Sequence, residues 1–311
     1  MTITRKPALF FSLTALTAGC LTVLVAGCRS TSAATEGRDR PKIDQVILIG
    51  VDGLGANYIP WDRVPNLRAL RDSGIYTVAR NCYPTSSAAN WATALMGTTT
   101  DMHGYRKWNS TKPDVEPAAP VGDYGIPQCI FAEIRRQRPT AYTAATYNWG
   151  GIPYCFATNA ISEKAVFCPR ADDEGRETDH FLTYLAKKPT LGFLYYDSVD
   201  GAGHKFGWGT PEYIAAAEAV DRQIGRVLKA IADSPLASRT AVILIADHGG
   251  IGKSHGADVV ECYRIPFIVS FPGVKEWTFR QPVMLADTAP TIAWLLGLEI
   301  PEVWRGRPVL K

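Results

Sequence analysis

The sequence predicts an α/β protein with a mostly parallel central sheet and helices on both of its faces. Two observations lead to this prediction. Continuous apolar runs, which are typical of strands buried on both faces, recur at residues 44–51, 191–197, 241–247 and 265–271. Amphipathic segments of helical length lie between these runs, and alternation of strands with helices is the pattern of layered α/β folds.

Three segments have the start and stop signals of helices. Residues 64–74 and residues 287–297 each end at a glycine. The longest segment has Thr210 as its N-cap and Pro211 in its first turn. Apolar residues at helical spacing form one face of this segment, namely Tyr213, Ala217, Val220, Ile224, Val227 and Ile231.

The composition is that of a soluble globular protein. The chain has 311 residues, of which 46% are hydrophobic and 20% charged, and this excludes disordered and fibrous classes. The net charge is only +3 and no basic run is present, so no nucleic-acid-binding surface is expected. We place one folded domain at residues 41–311. Within it, residues 100–170 are less regular and rich in Pro, Gly, Tyr and Trp, and we expect them to form a cap or lid.

The first residues have the features of an export signal. Residues 1–27 contain a short basic start and an apolar run of twenty residues, and Cys28 follows directly. Because VAGC resembles a bacterial lipobox, we expect cleavage before Cys28, lipidation of its thiol, and a flexible tether at residues 28–40. An uncleaved membrane anchor and cleavage after Ala34 are the alternatives. The preferred interpretation predicts an exported lipoprotein anchored in a membrane of the bacterial cell envelope.

The number and spacing of the cysteines predict few disulfide bonds. Of seven cysteines, five follow the export signal, and this odd number cannot pair completely within the chain. Export implies an oxidising compartment, and the short loop between Cys155 and Cys168 makes that pair the preferred disulfide. No Cys-x-x-Cys pair is present, which argues against a thiolate zinc site.

Acidic residues follow three of the apolar runs, at the point where each predicted strand ends. Asp52 follows the first run, Asp197 ends the second and Asp247 ends the third. Ligands of open α/β sheets bind at the carboxyl ends of the strands, so these carboxylates are expected at one edge. Carboxylates that are gathered together repel each other, and a bound cation is the usual compensation.

Three of the five histidines accompany these acids. His204 lies four residues after Asp200, His248 follows Asp247 directly, and His255 lies seven residues further on. Any one of these residues alone is more often a turn, a cap or a surface residue, so the inference depends on the joint pattern. Mixed carboxylate and imidazole ligands suit Zn2+, with Mn2+ as the second choice. The set is large enough for two ions, and paired ions stabilise the attacking and leaving oxygens of a phosphoryl displacement.

Longer motifs surround these residues and occur in a fixed order: ILIGVDGLG, YPTSSAANWATALMG, HGYRKWNS, VDGAGHKFG, LIADHGG and IPFIVSFPGVK. With these motifs the sequence resembles the type I phosphodiesterase/nucleotide pyrophosphatase family, a branch of the alkaline phosphatase superfamily. The resemblance covers nearly all of residues 43–310. It implies an alkaline-phosphatase-like layered fold and metal-dependent hydrolysis of phosphoric esters.

The resemblance also implies roles for individual residues. The two metal ions would be bound by Asp52, Asp247 and His248 and by Asp200, His204 and His255. A Ser or Thr hydroxyl of the family contacts the first ion and attacks phosphorus. Asn109 approximately matches a family asparagine that donates to a non-bridging phosphate oxygen, although the register differs by one residue. His255 lies closer to the Asp-His pair than its counterpart does in the longer pyrophosphatases.

The candidate nucleophiles lie close together in CYPTSSAANWATALMG, and they are Cys82, Thr85, Ser86 and Ser87. Related sulfatases use a Cys-x-Pro-x-Arg motif, but Ser86 stands at the arginine position here. In the superfamily the nucleophile opens a helix about ten residues before a glycine, and in nucleotide pyrophosphatases the nucleophilic Thr lies three residues before an asparagine. Counting back from Gly97 and from Asn90 selects Ser87 in both cases. Its hydroxyl would be activated by a metal ion and a helix N-terminus, whereas Ser86 is the second candidate and simple helix capping the structural alternative.

The sequence therefore predicts a two-metal hydrolase that cleaves phosphodiester or nucleotide pyrophosphate bonds through a covalent phosphoserine intermediate. Its expected substrate is a small phosphoester such as a nucleotide, and its expected membrane contact is the lipid on Cys28. A phosphomonoesterase and a phosphonate hydrolase are the alternatives within the same chemistry. A non-catalytic envelope-binding lipoprotein with the same fold is the alternative from another class.

Overall fold

The computed structural model describes residues 39–167 and 175–311, and both ranges belong to one compact unit. The predicted signal peptide, the lipidation site at Cys28 and most of the tether lie outside these residues. Cys168 also lies outside them, and its predicted partner Cys155 has a buried free thiol. Within the described ranges, the helices are too short or too polar to cross a membrane.

The central sheet contains seven strands, which are β1 Gln45–Val51, β2 Ile75–Arg80, β3 Thr143–Tyr147, β4 Glu163–Val166, β5 Leu191–Tyr196, β6 Thr240–Ile245 and β7 Arg264–Ser270. Their order across the sheet is β2-β7-β6-β1-β5-β3-β4. Neighbouring strands are parallel except at β7, which is antiparallel to both β6 and β2. The predicted α/β class with a mostly parallel sheet is therefore confirmed.

The α-helices of the described residues are α1 Pro65–Ser73, α2 Ser87–Met96, α3 Thr100–His103, α4 Ile130–Gln137, α5 Arg176–Leu185, α6 Ser198–Phe206, α7 Pro211–Ala232, α8 Val260–Tyr263 and α9 Thr288–Leu296. Helices α1 and α5 pack against α7, whereas α2 and α4 pack against α9. Consecutive residues of a strand point to opposite faces. In β5, Gly192 faces Phe181 of α5, and Phe193 contacts Trp91 of α2. The two groups of helices therefore cover opposite faces of the sheet.

The strongest sequence signals correspond closely to these elements. The four apolar runs become β1, β5, β6 and β7, and each is buried along nearly its whole length. Helix α7 begins where expected, because the Thr210 side chain accepts a hydrogen bond from the Tyr213 backbone N–H. All six residues of its predicted apolar face are buried.

The sequence patterns did not predict β2, β3 or β4. Strand β3 has the sequence TAATY and lacks large aliphatic residues, and β4 is a four-residue edge strand with alternating exposure. Residues 100–170, the region in which a cap or lid is expected, contribute α4, β3 and β4 to the main layers within their described part. Residues 104–129 are the longest described portion of this range without helices or strands.

A glycine in β1 lets α2 approach the sheet closely. A Cβ atom at Gly50 would lie 2.5 Å from Cη2 and 2.8 Å from Cζ3 of Trp91, which are impossible contacts. The fully buried Trp91 ring therefore rests directly on the backbone of the central strand. This close packing brings α2 and its first residue, Ser87, to the carboxyl end of β1.

The buried carboxylate of Asp221 in α7 caps the N-terminus of α1. Its Oδ1 accepts from Leu67 N at 2.7 Å and its Oδ2 accepts from Asn66 N at 3.2 Å. We expect Asp221→Ala to lower the free energy of unfolding by about 2–3 kcal/mol, because buried N–H groups lose their acceptor. Asp233→Ala, which removes an exposed pair between Lys229 of α7 and the residue that follows this helix, should cost about 0–1 kcal/mol. Urea denaturation of both variants tests this, and equal losses would contradict it.

Candidate metal centre and nucleophile

The order of the strands brings the predicted site together. Strands β6, β1 and β5 are neighbours, and their parallel carboxyl ends open on the same edge of the sheet. Asp52 follows β1 directly, and Asp247 and His248 follow β6 after one intervening residue. Helix α6 begins just after β5 and carries Asp200 and His204 on successive turns. Residues far apart in the chain thus meet at the position where open α/β sheets bind ligands.

The first cluster consists of Asp52, Asp247 and His248, all of them buried. His248 Nε2 lies 3.4 Å from Asp52 Oδ1 and 3.2 Å from Asp247 Oδ2. The hydroxyl of Ser87 is also 3.2 Å from His248 Nε2. A tetrahedral Zn2+ ion with bonds of about 2.0–2.2 Å separates its ligand atoms by about 3.3–3.6 Å. The spacing of these atoms therefore fits a shared metal ion.

The unsatisfied atoms of the cluster support the same conclusion. Asp52 Oδ1 and Asp247 Oδ2 are buried and have no hydrogen-bond partner. Their other oxygens are occupied, because Asp52 Oδ2 accepts from Trp91 Nε1 at 2.9 Å and Tyr195 Oη at 2.5 Å. Asp247 Oδ1 accepts from Gly53 N at 3.1 Å. A buried carboxylate oxygen without a partner is costly, and a cation bound between the two oxygens would satisfy both.

The second cluster consists of Asp200, His204 and His255, whose ligand atoms lie within 4.8 Å of one another. Asp200 Oδ2 is 3.5 Å from His204 Nε2, and Asp200 Oδ1 is 4.0 Å from His255 Nε2. Asp200 Oδ1 also lies 3.9 Å from His248 Nε2, and it is buried without a hydrogen-bond partner. The His248 and His255 rings stack with centroids 3.7 Å apart. The two clusters are therefore adjacent, as a two-metal site requires.

All three histidines are oriented in the same way. Backbone carbonyls face the Nδ1 atoms, with Gly249 O 2.9 Å from His248, Lys253 O 3.0 Å from His204 and Thr85 O 2.7 Å from His255. Carbonyl oxygens only accept hydrogen bonds, so in the neutral rings the proton is on Nδ1 and the lone pair on Nε2. Each Nε2 faces a cluster carboxylate. A hydrogen bond from Nδ1 to a carbonyl holds each ring with Nε2 available to a metal ion.

The three buried carboxyls of the site would be stabilised in their ionised form by a bound cation. Burial raises the pKa of Asp52 and Asp247, and it raises the pKa of Asp200 to about 9 with help from the nearby Asp52 charge. Burial also lowers the pKa of His248 and of His255 to about 3, so both rings are neutral near pH 7. These two histidines therefore provide no positive charge. Divalent ions would keep the three carboxylates ionised in this buried region.

Ser87 is the first residue of α2, as predicted, and Gly97 ends the helix in a left-handed conformation. The side chain of Asn90 holds the preceding loop, because its Nδ2 donates to Cys82 O, Pro84 O and Ser86 O. Ser86 points elsewhere and donates from Oγ to Arg106 O at 3.3 Å. Of the two adjacent serines, Ser87 is therefore the one directed at the Asp52–Asp247–His248 cluster.

Cys82 is set apart from this chemistry. Burial raises the pKa of its thiol to about 11, so the nucleophilic thiolate is scarce near neutral pH. Its backbone N–H donates to Asn90 Oδ1 at 2.9 Å. The cysteine therefore contributes to the loop that positions Ser87.

A cavity of about 450 Å3 opens over both clusters. Its lining residues are Asp52, Ser87, Trp108, Trp149, Tyr195, Asp197, Asp200, Gly201, His204, Ser254 and His255. Asn109 is exposed and is not one of these residues, so its proposed contact with phosphate stays a prediction. Asp197 has a buried Oδ1 without a hydrogen-bond partner in the described structure, and burial raises its pKa to about 7.

Sequence reasoning assigned no role to Trp149 or Tyr195. It placed Asp197 only among the carboxylates at the strand ends, and it considered Thr85 only as a candidate nucleophile. For Asp197 the signal was its place at the end of a strand, next to the Asp-x-x-x-His motif. Trp149 lies in the loop after β3, and that strand was itself missed. Tyr195 is an internal residue of an apolar strand, where packing is the ordinary expectation. The hydrogen bonds of these residues depend on tertiary structure, which no local pattern reveals.

This layered architecture, with clusters of Asp and His at the carboxyl edge of the sheet, defines an alkaline-phosphatase-like protein. The model of the type I phosphodiesterase/nucleotide pyrophosphatase family matches residues 46–262, a range that contains both clusters and Ser87. The chain therefore belongs to this family.

Individual relatives agree with the family assignment. Ectonucleotide pyrophosphatase/phosphodiesterase family member 3 of Rattus norvegicus is 26% identical over 264 residues, covering 79% of this chain and 28% of that protein. A venom phosphodiesterase of Naja atra is 26% identical over 264 residues, covering 78% of this chain and 30% of that protein. The chain thus spans less than a third of the length of these curated relatives.

The fold is also shared with a solved structure. Murine ectonucleotide pyrophosphatase/phosphodiesterase 5, solved as an inactive variant with AMP, superposes with a TM-score of 0.62 at 15% identity. The match covers 86% of this chain and all of the other. The predicted alkaline-phosphatase-like layered fold is therefore confirmed.

Proposed function

We propose that this protein is a two-metal hydrolase that cleaves phosphodiester or nucleotide pyrophosphate bonds through a phosphoserine intermediate. One observation supports this most directly: Ser87 Oγ lies 3.2 Å from His248 Nε2, at the Asp52–Asp247–His248 cluster. A hydroxyl at a metal cluster and at the N-terminus of a buried helix is placed to act as a nucleophile. The family assignment and the names of the curated relatives support the same chemistry.

The residues that would hold the ions form two groups, which are Asp52, Asp247, His248 and Ser87, and Asp200, His204 and His255. The equal mixture of imidazole and carboxylate ligands favours Zn2+ over Mn2+. When bound, such ions would act as Lewis acids that lower the pKa of a coordinated hydroxyl and offset the charge on phosphate oxygens.

The chain's own groups account for the reaction steps. The Ser87 proton passes to solvent, and Oγ forms a bond to phosphorus as the bond from phosphorus to the leaving oxygen breaks. The leaving oxygen takes a proton from water. A water molecule then attacks phosphorus, the bond between phosphorus and Oγ breaks, and Ser87 regains a proton. The positive end of the α2 helix dipole, where Ser87 lies, would favour the charged phosphate oxygens during both steps.

The preference for diesters is supported by the space beside Ser87. A diester carries a second organic group, and the cavity of about 450 Å3 has Trp108, Trp149 and Tyr195 in its wall. Aromatic walls of this kind accommodate a planar or apolar group. The murine relative was solved with AMP, a nucleotide, in keeping with this substrate class.

The proposal is tested by comparing bis(4-nitrophenyl) phosphate with 4-nitrophenyl phosphate as substrates. We expect kcat/KM for the diester to exceed that for the monoester by at least about 10-fold, which corresponds to about 1.4 kcal/mol of transition-state stabilisation. A preference for the monoester would instead identify a phosphomonoesterase. Absence of turnover with both esters, in protein loaded with Zn2+ or Mn2+, would favour the non-catalytic lipoprotein.

The cellular location is a proposal that comes from the sequence of residues 1–40. An exported lipoprotein, anchored through lipid on Cys28, would present the catalytic domain outside the cytoplasm. This compartment would supply small phosphoesters of extracellular or envelope origin as substrates.

A further inference from the structure

Thr85 makes two hydrogen bonds that join the nucleophile loop to the loop of a metal-ligand histidine. Its carbonyl oxygen accepts from His255 Nδ1 at 2.7 Å, and its hydroxyl oxygen accepts from Gly256 N at 2.9 Å. Thr85 is fully buried. The main chain and the side chain of one residue thus hold two consecutive positions of the histidine loop.

Thr85 is itself held firmly in place. The Asn90 side chain donates to the carbonyls of Pro84 and Ser86, the residues on either side of Thr85. Because Asn90 lies in the first turns of α2, Thr85 moves with the helix that begins at Ser87.

The loop around His255 is more exposed. Residues 251–254 are exposed or partly exposed, and Ile251 and Ser254 exchange backbone hydrogen bonds within the loop. Gly256 has a φ of +91°, a conformation that glycine adopts at little energetic cost. A Cβ atom at this position would meet nothing within 4 Å. Contacts from the buried Thr85 therefore restrain a segment that local packing leaves open.

We propose that Thr85 is a positioning residue that directs Nε2 of His255 into the second metal cluster and couples this histidine to Ser87. This inference rests on the proposed two-metal function. The Thr85 carbonyl orients the ring, and the hydroxyl fixes the backbone at Gly256 so that the ring cannot swing away. Residues that orient a metal ligand in this way commonly change metal affinity by about 10–100-fold when they are removed.

The first test measures the binding of two Zn2+ ions by competition with a chelating dye. Thr85→Val keeps the shape of the side chain and removes its acceptor oxygen, so it should weaken one of the two ions by about 10-fold or more. Thr85→Ser, which retains the hydroxyl, should restore the affinity. Equal affinities in the wild type and Thr85→Val would overturn the proposal. If Thr85→Val folds poorly, Thr85→Ala replaces it, and the same two outcomes apply.

A double-mutant cycle separates positioning from general loosening of the fold. His255→Ala removes the ligand on which Thr85 acts, so Thr85→Val should weaken metal binding no further in that background. Additive losses would show that Thr85 acts elsewhere, and they would overturn the proposal. Both tests measure metal binding and need no substrate. Loss of the proposed hydrolase activity in the ester assay would therefore be distinguished from failure of this inference.

Discussion

Replacement of Ser87 by alanine should reduce kcat for the diester by at least about 1,000-fold, because the group that bonds to phosphorus is removed. The variant should still bind metal, since Asp52, Asp247 and His248 remain in the first cluster. Steady-state kinetics and elemental analysis of the same preparation measure both effects. Rapid quenching with a phosphodiester radiolabelled at phosphorus should trap a labelled phosphoryl group, still carrying its second ester, on the wild-type protein and none on Ser87→Ala.

The neighbouring serine provides a matched control for this experiment. Ser86→Ala removes an equal volume and one hydrogen bond, from Ser86 Oγ to Arg106 O at 3.3 Å, which does not involve the metal clusters. A bond of this kind contributes about 1 kcal/mol, so kcat should fall by less than about 10-fold. If Ser86→Ala were inactive and Ser87→Ala active, the nucleophile would be Ser86 and the inferred register would be wrong.

The sequence predicted the parts of the fold that depend on strong local patterns. Strand β1 is apolar along its length because both of its faces are covered, and helix α7 has a capping threonine and a regular apolar face. The candidate site was predictable for a related reason. Asp52 and Asp247 lie at the ends of such strands, and parallel strands place their carboxyl ends on one edge whatever the connections between them.

Other features depend on contacts that have no local pattern. Strand β3 is recognised only through its pairing with β5 and β4, since its small residues have weak strand signals. In the sequence, Asn90 served only as a position from which to count back to the nucleophile. In the structure, its side chain donates to three carbonyls of the loop before Ser87. Tyr195 was unassigned and Thr85 was considered only as a nucleophile, because a hydroxyl that supports a ligand is indistinguishable in sequence from one that packs.

Removal of the metal ions should abolish activity and destabilise the protein, and this effect should be as large as that of losing the nucleophile. Without cations, the buried Asp52, Asp200 and Asp247 face one another with raised pKa values. An ion present at 100 times its dissociation constant adds about 2.7 kcal/mol to the free energy of unfolding. Treatment with a chelator should therefore lower the melting temperature, and added Zn2+ should restore both stability and turnover.

The destabilisation by chelation should also depend on pH. In the chelated protein, a carboxyl with a raised pKa keeps its proton at pH values at which the unfolded chain has already lost it. The stabilisation of the folded state by this carboxyl is therefore fully present at low pH. For Asp200 this effect is lost as pH rises from about 4 towards its folded pKa of about 9. As pH rises, the difference in unfolding free energy between the metal-loaded and the chelated protein should therefore grow by up to about 1.4 kcal/mol per pH unit for each such carboxyl.

Asp247→Asn provides the matched variant for this measurement. It removes a ligand charge from the first cluster and relieves the repulsion with Asp52, so chelation should change its melting temperature much less than that of the wild type. Calorimetric scans of both proteins between pH 5 and pH 8, with and without chelator, provide the comparison. A wild-type protein that is shown by elemental analysis to be metal-free, yet keeps its activity and melting temperature, would rule out the two-metal centre. The buried oxygens of Asp52 and Asp247 would then need another partner, because their burial without one is too costly to persist.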